Sequence, residues 1–365
     1  MVINLSRFLL IVVFGVFIFS ASAYAQSDPS DPKETVNILT WWGYLDCPGL
    51  VSMVEKECNV KISYDSYYTN REFLRRWRTQ GQIYDIIVFS DTIYDVIKDE
   101  IALEFSSLHE NLRLYPSIIK KQHENNKFPP NVVFYTHSLT GFLWNPKIIS
   151  LAKDDSLYSI FKKAGEKIII IMDDSAEIQK LISLGYYETV YGKKKYKKYK
   201  DKLISLTIEN FKKLIQQTKL FITNDYSKAY TNKNFAFAFM WSGDAISNLK
   251  KSKKRYKFLV HDNLSYVSSD LLANLNNKPY VVATAKALTS RKAMDIVQNN
   301  EYYFSPHLDL SNVTEPVFKQ IYRQFIKKLP DLSWIKSIPE HESYITGISW
   351  NKIRLNINKK KNYNN

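Results

Sequence analysis

Three short stretches decide the fold of this chain. They read VNILTWW at residues 36–42, KISYDSY at residues 61–67 and IIVF at residues 86–89. Each has the length of a strand and is rich in the β-branched and aromatic residues that strands favour. The third is apolar at every position, so we expect it to be buried on both faces, as in a parallel sheet.

Helical patterns separate these strands. Pro48 suits the first position of a helix over residues 48–57, and Thr69 with Glu72 forms a capping box that opens the next helix. Ser90 follows the third strand and can cap a further helix. This alternation of strands and helices predicts an α/β fold, in which a mostly parallel sheet is flanked by helices.

The rest of the chain extends the same pattern. Further strands are predicted at residues 132–135, 141–144, 167–172, 235–241 and 281–283. Helices are predicted to begin at Asp174 and to cover residues 291–299. Because Pro129-Pro130 interrupts the chain before the first of these strands, we place a crossing between two lobes there.

The first 25 residues have the pattern of a secretory signal peptide. Arg7 supplies a positive charge, residues 8–19 are uninterrupted apolar, and Ala23 and Ala25 are small residues at the positions that signal peptidase reads. The apolar run is short for a membrane span. We therefore expect cleavage near Ala25 and a periplasmic mature protein, whose remaining 340 residues (365 minus 25) suffice for two lobes.

The formal charge of the chain is +15, and lysine-rich runs at residues 193–198 and 250–255 supply much of it. Such charge can attract nucleic acid or anionic lipid. An exported protein rarely meets nucleic acid, so we interpret the lysines as solvated surface and expect no nucleic-acid partner.

Cys47 and Cys58 would lie at the two ends of the helix predicted over residues 48–57. Eleven helical residues span about 16 Å, whereas a disulfide requires Cα atoms closer than about 7 Å. We therefore expect both thiols to be unpaired, although an oxidising compartment would favour a disulfide.

Sequence signatures of metal, phosphate and hydrolase chemistry are absent. The chain has no Cys-x-x-Cys, no histidine pair at i,i+4, no phosphate-binding glycine loop and no Gly-x-Ser-x-Gly. We expect no metal, no cofactor and no enzymatic activity. A hydrolase whose residues converge only in space is the alternative that sequence leaves open.

Aromatic and acidic side chains follow the predicted strands, at the carboxyl ends where α/β sheets bind ligands. Aromatic faces attract ammonium groups, and carboxylates give them charge-assisted hydrogen bonds. Alone, each residue has a structural explanation, since a carboxylate or a serine can cap a helix and a tryptophan can belong to the core. Their joint occurrence predicts a site for a small organic cation, formed by Trp41, Trp42, Tyr44, Ser90, Asp174, Glu177, Trp241 and Asp244.

The chain resembles the periplasmic spermidine/putrescine-binding proteins, the receptors of polyamine ABC transporters. The similarity lies in the order and spacing of five segments, at residues 36–44, 64–90, 169–177, 239–244 and 282–286. It covers nearly the whole mature chain. It implies a type II-like periplasmic binding protein with two α/β lobes and a ligand cleft between them.

The resemblance also implies lobe boundaries. One lobe would comprise residues 26–134 plus 278–330 and the other residues 135–277 plus 331–358, with a frayed basic tail at 359–365. Trp241 would stack along an alkyl chain, and Tyr303 matches an aromatic near the C-terminal crossover.

Two departures from the family concern ligand choice. The family has a carboxylate two residues after an aromatic residue. Two alignments place that position differently in this chain: counting forward from Val260 reaches Asp270, whereas counting back from Val281 reaches Asn277. We favour Asp270, although Ser268 stands where the aromatic would be. Trp42 occupies a position where the family often has a small hydroxyl residue, which predicts a smaller cleft.

These observations predict an extracytoplasmic solute-binding protein that is monomeric, closes around a polyamine and delivers it to a membrane ABC permease. The alternative is a receptor of the same fold for an aminophosphonate, an iron complex or a thiamine-like cation.

Overall fold

A computed structural model describes residues 33–103, 108–185, 211, 215, 218–224, 226, 232–252, 255–335, 347–348 and 350–355. The named helices and strands all lie in the compact unit that begins at Thr35. The predicted signal peptide, the lysine-rich run at 193–198 and the tail at 359–365 lie outside the described residues.

The strands of the described chain form one mixed sheet. They are β1 Thr35–Trp41, β2 Lys61–Tyr67, β3 Ile86–Ser90, β4 Val132–Trp144, β5 Ile168–Ile171, β6 Lys219–Ile222, β7 Phe235–Trp241, β8 Lys257–Leu259, β9 Tyr266–Asn274 and β10 Ser333–Trp334.

Helices pack on this sheet. They are α1 Leu50–Cys58, α2 Asn70–Gln80, α3 Tyr94–Ile101, α4 His109–Arg113, α5 Ser117–Asn125, α6 Leu157–Ala164, α7 Ser175–Ile182, α8 Ser242–Lys251, α9 Pro279–Leu288, α10 Arg291–Glu301 and α11 Pro316–Lys328. None of the helices in the described ranges is long and apolar enough to cross a membrane.

The strand order is β2-β1-β3-β9-β4-β7-β5-β6, with β10 beside β9 and β8 beside β4. Strands β1, β2 and β3 are parallel, as are β5, β6 and β7, which confirms the predicted α/β class. Strand β4 joins the two halves, because it pairs with β9 over Val132–Leu139 and with β7 over Thr140–Trp144. The predicted lobe boundaries stay a prediction.

Separate apolar cores lie in the two halves. One packs around β1, β3, α1 and α11, and another packs around β5, β7 and α6. We call the β1–β3 and β9 side the first half-sheet and the β5–β8 side the second half-sheet.

Several local predictions are confirmed. Thr69 Oγ1 accepts the N–H of Glu72 at 3.1 Å, as a capping box requires. Cys47 and Cys58 are free thiols. The segments predicted at 132–135 and 141–144 belong to one long strand, because the polar residues between them hydrogen-bond across to β9.

The strand predicted at residues 281–283 is wrong, because these residues lie inside α9. Val281 and Val282 favour a strand locally. The segment is nevertheless opened by Pro279 at a position suited to the first helical turn, and alanines at 283, 285 and 287 favour a helix.

Candidate functional site

A pocket of about 510 Å³, including solvent at its mouth, opens where the two half-sheets meet. We call it the carboxylate pocket, and it is lined by Trp41, Trp42, Tyr44, Asn70, Ser90, Ser138, Asp174, Glu177, Trp241, Ser268, Ser269, Asp270 and Tyr303.

The turn after β1 brings Tyr44 into the pocket. Gly43 has a φ of 97°, a conformation that favours glycine, and its N–H donates to Asp46 Oδ2 at 3.1 Å. The Tyr44 hydroxyl contacts Thr136 Oγ1 at 2.8 Å and donates a hydrogen bond to Asp270 Oδ2. Tyr44 therefore fixes the position of the Asp270 carboxylate.

Asp174 is the N-cap of α7. Its Oδ1 accepts the N–H groups of Ala176 at 2.9 Å and Glu177 at 3.1 Å. The other oxygen accepts from Asn70 Nδ2 at 2.8 Å. Asn70 lies at the start of α2, so this hydrogen bond joins the first half-sheet to the second across the pocket wall. Burial raises the pKa of Asp174, whereas these hydrogen bonds lower it.

Glu177 projects from the first turn of α7 and is almost fully buried. Its Oε1 accepts from Trp241 Nε1 at 3.0 Å and from the hydroxyl of Ser268. The second oxygen, Oε2, is buried, and no donor from the described residues reaches it. Burial, followed by repulsion from Asp174, raises the pKa of Glu177 to about 7. One carboxylate oxygen is therefore held by the protein while the other lacks a donor.

Asp270 lies in β9, opposite Ser90 of β3. Besides Tyr44, it accepts a hydrogen bond from Thr136 Oγ1 at 3.2 Å. Burial raises its pKa to about 6. Asn277, the other position that the sequence allowed, is exposed beyond the end of β9 and does not line the pocket.

Aromatic rings form the apolar walls. Trp41 packs on Tyr67 with a centroid distance of 4.5 Å, and Tyr303 meets Tyr44 edge-on at 5.9 Å. Trp42 is 58 % exposed and stacks on Tyr68, so its ring adds a mainly solvent-facing wall.

None of the pocket carboxylates forms an ion pair with lysine or arginine in the described part of the chain. No group of three or more His, Cys, Asp or Glu side chains there could hold a metal ion. A carboxylate with no counter-charge is costly to bury in its ionised form. The pocket therefore favours an organic cation, whose ammonium groups would supply the missing charge and hydrogen-bond donors.

Nine of the ten predicted site residues line this pocket, and Asp244 does not. Because α8 begins at Ser242, Asp244 falls in its first turn. Burial and the nearby Glu301 carboxylate raise its pKa to about 7, whereas Lys251 lowers it. The carboxylate therefore lies outside the pocket lining, although its charge acts on Tyr303, which lines the pocket.

The sequence prediction missed four polar lining residues, Asn70, Ser138, Ser268 and Ser269. Ser138 and Ser268 belong to the paired strands β4 and β9, where Ser138 Oγ donates to the Ser268 carbonyl at 3.3 Å. Small hydroxyl residues carry no signal of their own. Side chains two residues apart on a strand lie on the same face of the sheet, so the prediction of Asp270 as a site residue would have placed Ser268 on the pocket face of β9.

The chain is similar to known proteins over part of its length. It is 24 % identical over 239 residues to the spermidine/putrescine-binding periplasmic protein of Salmonella typhimurium, and the match covers 64 % of either chain. The Escherichia coli protein of the same name is 22 % identical over 226 residues, which is 61 % of its length. The chain thus spans less than two thirds of these relatives, and no protein-family model matches it.

Solved structures resemble the whole fold. A spermidine/putrescine ABC transporter substrate-binding protein from Streptococcus pneumoniae superposes with a TM-score of 0.68 at 18 % identity, covering 89 % of this chain and 99 % of that one. A periplasmic thiamin-binding protein reaches 0.61 at 14 % identity, covering 88 % and 96 %. The chain therefore has the two-domain fold of periplasmic binding proteins and is similar in sequence to the spermidine/putrescine-binding ones.

Proposed function

We propose that the protein is an extracytoplasmic receptor for a polyamine, which it binds in the carboxylate pocket and delivers to an ABC permease. The observation that carries the proposal is the Glu177 carboxylate. It is almost fully buried, and among the described residues one of its oxygens has no hydrogen-bond partner and no lysine or arginine forms an ion pair with it. An ammonium group entering the pocket would supply both the charge and the donor.

The remaining pocket residues suit the other parts of a polyamine. Trp41, Trp241 and Tyr303 offer ring surface to methylene groups and ring faces to cations. Asp270 provides a second carboxylate, supported by Tyr44 and Thr136. Asp174 and Glu177 also disfavour an anion at the α7 N-terminus, because their negative charges would repel it.

Capture would follow closure of the two half-sheets around the ligand, with the Asn70–Asp174 hydrogen bond as one closing contact. A ligand that binds the closed form more tightly shifts the equilibrium toward it. The named relatives are spermidine/putrescine-binding periplasmic proteins, and one similar structure is an ABC transporter substrate-binding protein, which supports a signal peptide ending near Ala25, a permease partner and a role without catalysis.

Isothermal titration calorimetry tests the proposal. Protein purified without refolding should bind putrescine or spermidine with a dissociation constant of about 1 µM or lower, consistent with charge-assisted pairing in a partly dry site. Native mass spectrometry of the same sample would reveal a ligand carried through purification. No binding of either amine at millimolar concentration, with binding of an anionic solute, would contradict the proposal.

Thiamine is the informative competitor, because a receptor of similar fold binds thiamin. Its single fixed cation cannot satisfy both Glu177 and Asp270. We therefore expect putrescine and spermidine to displace thiamine, and tighter binding of thiamine would favour the alternative receptor class.

A further inference from the structure

The side of the carboxylate pocket around Glu177 offers acceptors without matching donors. Glu177 Oε2 and Asn70 Oδ1 are both buried, and neither has a hydrogen-bond partner within the described ranges. Both residues line the pocket together with Ser268, and we call these three residues the acceptor wall. A buried acceptor without a donor costs free energy, so two of them in one wall indicate that a ligand supplies the missing donors.

The N–H groups beside this wall are already used inside the protein. The amide nitrogen of Asn70 donates to Asp174 Oδ2 at 2.8 Å and to Thr92 Oγ1 at 3.1 Å. Because a carboxylate accepts hydrogen bonds, the contact with Asp174 fixes the orientation of the amide and leaves Oδ1 as its acceptor. Trp241 Nε1 donates to Glu177 Oε1 at 3.0 Å. None of these N–H groups is left for a ligand.

The serine hydroxyls at this wall are committed in the same way. Ser268 Oγ donates to Glu177 Oε1, and Ser138 Oγ donates to the Ser268 carbonyl at 3.3 Å. Each hydroxyl has one proton, so a ligand in the pocket meets only the lone pairs of these two oxygens. Ser268 stands where the resemblance to the spermidine/putrescine-binding proteins predicts an aromatic residue, so a hydrogen-bond acceptor replaces a ring face there.

The Asp270 end of the pocket has a different chemistry. Two hydroxyl groups, those of Tyr44 and Thr136, already hydrogen-bond to Asp270 Oδ2. The Tyr303 ring packs edge-on against Tyr44 and lines the same pocket. A cation at this end meets a carboxylate and a ring, and both attract positive charge whether or not the nitrogen carries N–H groups.

We propose that the acceptor wall selects an unsubstituted ammonium group, whose three N–H donors pair with Glu177 Oε2, Asn70 Oδ1 and Ser268 Oγ. The inference rests on the proposed polyamine function and narrows its ligands to amines with at least one free primary end. The other nitrogen, at Asp270, tolerates alkylation. An alkylated nitrogen at Glu177 would keep its charge but would leave these acceptors without donors.

The test compares three ligands that all carry two positive charges: putrescine, putrescine trimethylated at one nitrogen, and putrescine trimethylated at both. Calorimetry at pH 8, above the pKa of about 7 of Glu177, keeps its carboxylate ionised. The singly methylated diamine can place its free end at Glu177, so its affinity should stay within about 3-fold of putrescine. The doubly methylated diamine should bind about 100-fold more weakly, because each of three hydrogen bonds contributes about 5-fold.

Two substitutions test whether the acceptor wall causes this ratio of about 100-fold. Ser268→Ala and Asn70→Ala each remove one acceptor, so the ratio should fall to about 20-fold in either variant. If these residues only support the folded or the closed state, both ligands weaken equally and the ratio does not change. Ser252→Ala is the matched control, because its hydroxyl donates to the Leu249 carbonyl outside the pocket lining, and it should leave the ratio within about 2-fold.

The outcomes separate this inference from the proposed function. If wild-type protein binds neither putrescine nor its methylated forms, the polyamine function is wrong. If putrescine binds and the doubly methylated diamine binds within about 5-fold of it, selection by N–H donors is wrong and the rings and charges alone govern binding. Equal losses for the singly and doubly methylated diamines would contradict the tolerance at Asp270. An unchanged ratio in both variants, folded by thermal melting, would overturn the role of Asn70 and Ser268.

Discussion

Two cavities of opposite character meet at the hydrogen bond between Asn70 and Asp174. On one side lies the carboxylate pocket. On the other lies a more open cavity of about 1470 Å³, including solvent, which we call the arginine cavity. Its lining contains Arg71, Arg75, Arg78 and Arg354.

The difference between these cavities comes from burial rather than from overall composition. Residues 71, 75 and 78 lie on one face of α2, and their side chains are exposed, where charge costs little. The pocket carboxylates lie in the interior, where charge is costly: Asp174 and Glu177 follow the end of β5, and Asp270 lies within β9. The chain as a whole carries +15. The charge of a pocket therefore depends on which groups are buried in it. The positive net charge of this chain does not predict the acidic lining of the carboxylate pocket.

The largest effect should follow removal of the Glu177 charge. Glu177→Gln preserves the side-chain length and the hydrogen bonds that Oε1 accepts, but it leaves an ammonium group without its counter-charge. We expect polyamine affinity to fall by about 3 kcal/mol, or roughly 100-fold. Calorimetry measures this loss. Asp173→Asn, which faces the arginine cavity and pairs with Arg354, should change affinity by less than about 3-fold. Equal losses of polyamine affinity in the two variants would show that the carboxylate pocket contributes no more to binding than the arginine cavity does.

Glu177→Gln should also be more stable than the wild type, by an amount that depends on pH. Folding raises the pKa of Glu177 from 4.5 to about 7, so the wild type loses stability as pH rises between these values. Below pH 4.5 the carboxyl is protonated in both states and the difference vanishes. Without ligand, Glu177→Gln should gain about 3 kcal/mol over the wild type above pH 7.

Urea unfolding of both proteins from pH 4.5 to 8 measures this gain. Comparing the two proteins cancels the titration of buried histidines such as His137, whose pKa burial lowers to about 3. A constant difference across the pH range would show that Glu177 carries no buried charge.

A substitution at Asp174 should distinguish its role in ligand binding from its role in capping α7. Asp174→Asn keeps an Oδ1 that can accept the N–H groups of Ala176 and Glu177, but its amide nitrogen replaces the oxygen that accepts from Asn70, so the free energy of unfolding should fall by no more than about 1 kcal/mol. Polyamine affinity should fall by about 2 kcal/mol through loss of charge. Thermal melting and calorimetry on one preparation measure both quantities. Unchanged affinity would leave Asp174 with the capping role alone.

Asn70→Ala should weaken the wall between the two cavities. It removes the 2.8 Å hydrogen bond to Asp174 and a second one, at 3.1 Å, to Thr92. We expect a loss of about 1 kcal/mol in polyamine affinity, because closure loses one contact. Small-angle scattering should show a larger radius of gyration at subsaturating ligand. Thr79→Ala, on the same helix, is the matched control, and equal effects in both would contradict a closing role for Asn70.

The smallest effect concerns the arginine cavity itself. Arg75→Glu should raise the association rate of spermidine by about 2-fold at low salt, because it reduces repulsion near the pocket mouth. Stopped-flow tryptophan fluorescence measures the rate, and 0.5 M salt should abolish the difference. A rate that is unchanged at low salt would show that the two cavities are electrostatically independent.

The sequence predicts the local parts of this site well, because strand ends and caps are short-range features. Trp41, Ser90 and Asp174 follow stretches whose pattern is unambiguous. Asp244 was predicted for the site but does not line the pocket, because it lies in the first turn of α8, which begins at Ser242. Ser268 and Ser269 escaped because their role arises from pairing with β4, more than 120 residues earlier, and from contact with Glu177.

Strand β9 has a consequence for how the chain folds. It lies between β3 and β4 in the sheet, although its residues come from positions 266–274. The first half-sheet therefore stays open, with unpaired strand edges, until most of the chain has been synthesised. Pairings at such sequence separation are slow to form. The strand that joins β3 to β4 is therefore missing from a ribosome-bound chain until residue 274 has been synthesised, so the sheet can be completed only late in synthesis.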